Sequence, residues 1–359
     1  MLGRKRRIRA VFALFAATAT VALGLTGTPA AAAEQAPGAA DLAQVTLKNV
    51  NNGRHLDVQN GNPGSGAIVV TNSAPGYKQD WHINPVGNDG AFNLVNTATG
   101  KCVTAGLPLR QQPCDGTGSK KWYFQPVPGN GTRANAFMVR NAGSNKCLDV
   151  VLGATYNDAW TQTYSCNNTR PQQWTLPTQA ASDAAFALAV DYAAFRCAKD
   201  TSTCSWSKAA QTPAAPLPKQ CISPVWYNGT TEPVPWTFSL NTTTGWTTEL
   251  GFQLQTSLQG GGGELAPFQA TVAHTVTGNV SMNLQKELGN SLTVTVPPKQ
   301  YGWVALSELA TKVSGEWTFD ANGFPWTAQD TITVPLKSGD GGASIYMAQT
   351  SDAFTGCDK

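Results

Sequence analysis

Charge is scarce in this chain: Asp, Glu, Lys and Arg make up 13% of its 359 residues, against about 25% in average proteins. Histidine is scarcer still, with only His55, His82 and His274, and no two cysteines stand in C-x-x-C spacing. These absences argue against a zinc centre, and no metal or cofactor is expected. G-x-S-x-G, Walker and H-E-x-x-H motifs are missing too. The carboxylates Glu249, Glu264, Glu287, Glu308, Glu316 and Asp330 are scattered, so no catalytic residue is assigned and the chain is read as a non-enzyme.

What is present begins with an export signal. Arg4-Lys5-Arg6-Arg7-Ile8-Arg9 is a positive run, Val11 to Leu25 is apolar, and Ala31-Ala32-Ala33 supplies small residues for cleavage. The apolar run is too short and too rich in Ala and Thr for a membrane span, although a retained anchor is the alternative. Residues 1–33 are therefore expected to be removed and the protein secreted. Without them, 20 basic residues face 22 acidic ones, a net charge of −2, which removes any whole-protein case for binding nucleic acid. Eight cysteines in an exported chain argue for disulfides. Eleven Trp, polarity carried by Thr, Asn, Gln, Ser and Gly, and no long helical periodicity after residue 200 indicate extracellular β-structure.

The first half repeats itself three times. The units run Leu56-Asp57-Val58 to Gln79-Asp80-Trp81, Lys101-Cys102-Val103-Thr104 to Lys120-Lys121-Trp122, and Lys146-Cys147-Leu148-Asp149-Val150 to Gln172-Gln173-Trp174. The Trp residues fall 41 and then 52 positions apart, with short alternating runs and turn clusters between them. Three copies are too few for a propeller and suit a pseudo-threefold fold. Over residues 42–177 these motifs resemble the ricin B-type β-trefoil lectins, also called carbohydrate-binding module family 13.

The resemblance implies that the Asp of each repeat accepts hydrogen bonds from sugar hydroxyls while an aromatic ring stacks on the sugar. A carboxylate is a stronger, more directional acceptor than a neutral group, and an aromatic wall suits an amphipathic ring. The Trp of each Gln-x-Trp reads as core. The third repeat keeps Asp149, Tyr164 and Gln172, with Pro171 where the family often has a sugar-contacting Asn. The first keeps Asp57 and Gln79 but has Asn72 at the ring position, so weak binding or none is expected there. The second has Thr104 and Lys120 in place of Asp and Gln and is expected to bind nothing. The family pattern also implies bridges Cys102–Cys114 and Cys147–Cys166. The first repeat has His55 and Ala74 instead, with His55 read as a packing residue.

The expected class is all-β: the trefoil, then residues 178–220 as one short helix and a Pro/Ala-rich connector, then an elongated, long-stranded β domain over 221–357. Ala180 to Lys199 reads as the helix, with Ser182 as a possible N-cap and Phe186, Val190, Ala193 and Ala194 as its face. Cys197 and Cys204 are close enough to pair, which leaves Cys221 and Cys357, although sequence alone does not fix connectivity. From Val234 to Leu258, and again from Phe268 to Gln285, apolar and Ser/Thr/Asn/Gln residues alternate around a Gly260–Gly263 turn. Further alternating segments are Ser291–Val296 and Thr331–Val334.

Long Ser/Thr-rich strands, a Thr-Val-Pro-Pro ending and a preceding trefoil resemble the aerolysin-like β-pore-forming toxins. That resemblance implies a target membrane and a homo-oligomer closing a barrel on it, since open sheet edges are intolerable in lipid. Three readings stay open: a glycan-targeted pore former, a non-lytic lectin with a β-sandwich accessory domain, and a glycan-targeted hydrolase. In each, the partner is carbohydrate of galactose or xylan type.

Overall fold

The computed structural model describes residues 40–73, 78–127, 135–213, 215–240, 247–248, 291–307, 309–320, 323–335 and 345–357. The expected export signal, the Gly260–Gly263 turn and the strand read over 268–285 lie outside them.

Each of the three repeats folds as four short strands. The first contains β1 (Lys48–Asn49), β2 (His55–Val58), β3 (Val69–Asn72) and β4 (Trp81–Pro85). The second contains β5 (Phe92–Asn96), β6 (Cys102–Thr104), β7 (Arg110–Gln112) and β8 (Lys121–Pro126). The third contains β9 (Ala136–Asn141), β10 (Cys147–Val150), β11 (Ala159–Tyr164) and β12 (Gln173–Thr175). First and fourth strands close a ring: β1 pairs β12, β12 pairs β9, β9 pairs β8, β8 pairs β5 and β5 pairs β4. A bridge from Val45 to Trp81 completes it. Second and third strands form three hairpins that meet where Leu109 N–H donates to Thr161 O at 2.8 Å and Thr161 Oγ1 donates to Val69 O at 2.7 Å. This is a β-trefoil, and the turn clusters between alternating runs are what divide each repeat into four strands.

A 21-residue helix, α1 (Gln179–Lys199), follows. Its N-cap is Thr178, whose hydroxyl accepts from Ala181 N–H at 3.1 Å, and not Ser182, whose hydroxyl donates back to Thr178 O at 3.0 Å. The helix starts early enough to place Ala185, Ala189 and Val190 in the core. Its backbone lies so close to the trefoil that a Cβ on Gly90 would stand 2.4 Å from Leu188 O. Tyr123 and Tyr192 stack at 4.0 Å on the trefoil side, and Phe186 meets Trp326 at 5.7 Å on the other. One apolar core thus runs from the trefoil through α1 into the second half.

Among the described residues, the second half forms three antiparallel sheets. In the first, β13 (Cys204–Gln211) and β14 (Ala215–Pro216) pair with β21 (Leu309–Phe319), which pairs with β22 (Trp326–Pro335), and β22 with β18 (Thr247–Thr248). The segment read as a connector therefore contributes strands. In the second, β15 (Gln220–Cys221), β16 (Trp226–Tyr227) and β23 (Ile345–Ser351) pair with β20 (Tyr301–Ser307). The third joins β17 (Val234–Ser239) to β19 (Ser291–Val296). It packs Phe238, Val294 and Val296 against Val304 and Leu306 of β20, with Gly302 leaving room for Val296. The alternating run starting at Val234 is thus divided: β17 and β18 belong to different sheets. Disulfides join Cys102–Cys114, Cys147–Cys166, Cys197–Cys204 and Cys221–Cys357.

Polar contact between the halves centres on Asp320, which is 6% exposed. It accepts from Arg196 at 2.8 Å, Arg140 at 3.1 Å, Gln125 at 3.0 Å and the Phe324 N–H at 2.8 Å. Removing the carboxylate leaves Arg140 buried beside no anion. Asp320→Ala should lower unfolding stability by about 3–5 kcal/mol, the usual effect of stripping one partner from a buried ion pair, measured by urea denaturation.

Candidate functional site

In every repeat the buried Trp holds one backbone carbonyl. Trp81 Nε1 donates to Leu56 O at 3.0 Å, Trp122 Nε1 to Val103 O at 3.0 Å and Trp174 Nε1 to Leu148 O at 3.2 Å. The indoles have no exposed surface, so each N–H must find a partner inside. The chosen carbonyl belongs to the residue just before Asp57, Thr104 or Asp149. Core packing thereby sets the position of the residue that faces out.

In the third repeat, Asp149 on β10 stands opposite Gln162 on β11, and Gln162 Nε2 donates to Asp149 Oδ1 at 2.9 Å. Tyr164 follows two residues along, on the same face because strand side chains alternate, and its side chain is about half exposed. Asp149 is almost covered, and burial raises its pKa against the opposing hydrogen bonds from Gln162 and Gln172. Gln172 has no exposed surface: its Oε1 accepts from Asn167 N–H at 2.8 Å and its Nε2 donates to Ser165 O at 2.9 Å. It braces the loop that the Cys147–Cys166 bridge ties to β10.

The first repeat keeps the same acid without the ring. Asp57 accepts from Gln79 Nε2 at 3.0 Å and from Val58 N–H at 2.7 Å, and Asn72 ends β3 opposite His55. Burial raises the Asp57 pKa; Gln79 and the Val58 N–H oppose it, Asp158 adds to it and His55 slightly relieves it. The second repeat is occupied by its own side chains. Lys120 pairs with Asp115 at 2.5 Å, and this bond, with help from Thr117, holds the Asp115 carboxyl down to about 2. Thr104 Oγ1 is buried without a hydrogen-bond partner, and Thr104 offers no charge.

The three repeats thus present two buried acceptors, one beside an exposed ring, and one position with neither. A carboxylate acceptor beside an exposed aromatic ring is an arrangement that suits neutral polyhydroxy rings. Residues 43–174 match the family model of the ricin-type beta-trefoil lectin domain. The match over this stretch is to a ricin-type lectin domain, which indicates carbohydrate binding. No curated protein matches the chain.

Solved structures similar to it include the designed threefold protein ThreeFoil, 26% identical, TM-score 0.35, with 38% of this chain and 99% of that one covered. The exo-beta-1,3-galactanase 1,3Gal43A from Clostridium thermocellum is 24% identical, TM-score 0.34, covering 37% of this chain and 30% of that one. The C-half of the earthworm R-type lectin, solved with GalNAc, is 14% identical, TM-score 0.31, covering 38% and 99%.

Sequence reading did not single out Gln162, although the alternation of β11 places it on the face of Tyr164. Nor did it find the Trp-to-carbonyl bonds, because nothing local says which carbonyl a core indole will meet.

The raised pKa of Asp149 has a sign that can be checked. A carboxyl that holds its proton more tightly when folded stabilises the fold below its unfolded value of about 3.9 and loses that contribution as pH rises through the folded value. Asp149→Asn should therefore match or exceed the wild-type Tm at pH 7, with the difference vanishing in acid below the unfolded value, as thermal melts across pH would read.

Proposed function

We propose that the protein is a secreted lectin whose dependable grip is the third-repeat pocket of its lectin domain. The pairing of buried Asp149 with half-exposed Tyr164 carries this reading. The carboxylate supplies directional acceptance of sugar hydroxyls, and the ring supplies an apolar face. Gln162 and Gln172 orient the acid, Gln172 from behind. Asp57 with Gln79 forms a second acidic position of the same kind. The ligands are glycans of galactose or xylan type. A single shallow pocket suits millimolar affinity, about −4 kcal/mol, so useful retention on a surface comes from multivalency.

A second reading concerns residues 221–357: an aerolysin-like domain that the lectin delivers to glycosylated membranes. Its support is the Ser/Thr-rich alternation flanking Gly260–Gly263, since a barrel strand needs apolar and polar faces in turn. Domain limits at 42–177 and 221–357 belong to this proposal.

Wild-type protein should be retained on galactose- or xylan-bearing resin, and Asp149→Ala should weaken retention at least about tenfold, as loss of a charged hydrogen-bond acceptor implies. Unchanged retention would reject the pocket. For the second reading, dye release from glycolipid vesicles together with detergent-resistant oligomers is the expected outcome; binding to the vesicles without leakage counts against it.

A further inference from the structure

The first repeat lacks an aromatic ring of its own, but the fold brings one to it. Val70 of β3 is paired on both sides: on one with Asp57 of β2, on the other with Trp160 of β11, which belongs to the third repeat. Residues opposed in antiparallel pairs point to the same face, so Asp57, Val70 and Trp160 form one row across three strands. Two strand spacings separate the acid from the indole, roughly 10 Å between their Cα atoms. Val70 in the middle is fully buried, and Trp160 is 46% exposed. An exposed indole offers a large apolar face with one polar N–H, the kind of surface on which an amphipathic ring can stack.

The third-repeat segment leading to Trp160 is pinned against the first repeat. Asn51 Nδ2 donates to Gly153 O at 2.9 Å and Asn52 Nδ2 to Ala154 O at 3.0 Å. Asn157 Oδ1 accepts from Arg54 Nε at 2.8 Å, from Ser73 Oγ at 2.9 Å and from Ser73 N–H at 3.1 Å. Asp158 next to it lies near enough to act on Asp57 through its charge. The wall of the first pocket is therefore built by the third repeat and held there independently of any ligand.

We infer that Asp57, Gln79 and Trp160 form a second, composite sugar pocket, with Trp160 taking the stacking role that Asn72 cannot. This rests on the carbohydrate reading above and deepens it. Asp57 accepts hydroxyl donors with Gln79 fixing its carboxylate, and the exposed indole covers the apolar face of the sugar. Because Trp160 lies two residues from Gln162 on β11, the composite pocket adjoins the Asp149 pocket, and one chain holds two sugar rings.

The test uses the full-length secreted protein, with lactose and xylotriose as probes. Calorimetry on wild type should give close to two sites per chain for whichever probe binds. Asp149→Ala with Tyr164→Ala should leave one site; adding Trp160→Ala should weaken that site at least about tenfold, the loss of a stacked aromatic contact with its buried area, and Trp160→Phe should restore most of it. Thermal melts check that each variant is folded. As a readout that needs no destabilising change at the pocket, 5-fluorotryptophan labelling should show the Trp160 resonance moving on titration of the double variant. A single site in wild type, loss of all binding in a folded double variant, or a Trp160 resonance that does not move overturns the composite pocket alone. If wild type takes up neither probe, the carbohydrate reading fails and the composite pocket with it.

Discussion

Three buried indole N–H groups, each closing on one backbone carbonyl, are the constraint from which the binding surface follows. A Trp side chain buries a large apolar area but carries one donor that cannot be left unpaired. In each repeat that donor meets the carbonyl one residue before the outward-facing Asp or Thr. Core packing and site geometry are consequently the same structural fact. The fold can repeat three times while the outward residue changes freely, since exchanging Asp for Thr104 leaves the carbonyl of Val103 and its bond to Trp122 intact.

The acids sit on this scaffold against their own ionisation preference. Asp57 and Asp149 are nearly covered, and burial raises both pKa values. Each is therefore given neighbours that make it an oriented acceptor: Gln79 and the Val58 N–H for one, Gln162 for the other. The second repeat shows the alternative. There Lys120 pairs with Asp115, and Thr104 stands where the other two repeats have an acid.

Among the described residues, α1 and the sheet of β13, β21 and β22 share their core with the trefoil. The helix α1 buries one side against the trefoil and another against the sheet around β21, in a single apolar core. Asp320, from the far half, gathers Arg140 of the trefoil and Arg196 of the helix. The shared core reaches the sheet of β13, β21 and β22, while the sheets around β20 and β17 pack on apolar clusters of their own.

The sequence by itself determined the three repeats, the all-β class, the core role of Trp81, Trp122 and Trp174, and the unequal chemistry of Asp57, Thr104 and Asp149. These are legible because each is encoded within a few residues of the chain, in alternation, turn clusters and recurring motifs. The helix was legible for the same reason, but its cap was not. Ser182 and Thr178 are both good capping residues, and the tertiary demand to bury Ala185 and Val190 decides where the first turn starts. The division of the run beginning at Val234 between two sheets was illegible because alternation reports that a strand has two faces and says nothing of which strand pairs with it. Gln172 shows the same limit, since its motif marks it as important while only the fold turns its amide inward onto Ser165 and Asn167. Trp160 shows it most clearly. About a hundred residues of chain separate it from Asp57, and only register through Val70 puts the two on one face. Pairing between distant strands is a property of the closed sheet, so the tertiary structure alone could place a ring from the third repeat on the same face as the acid of the first.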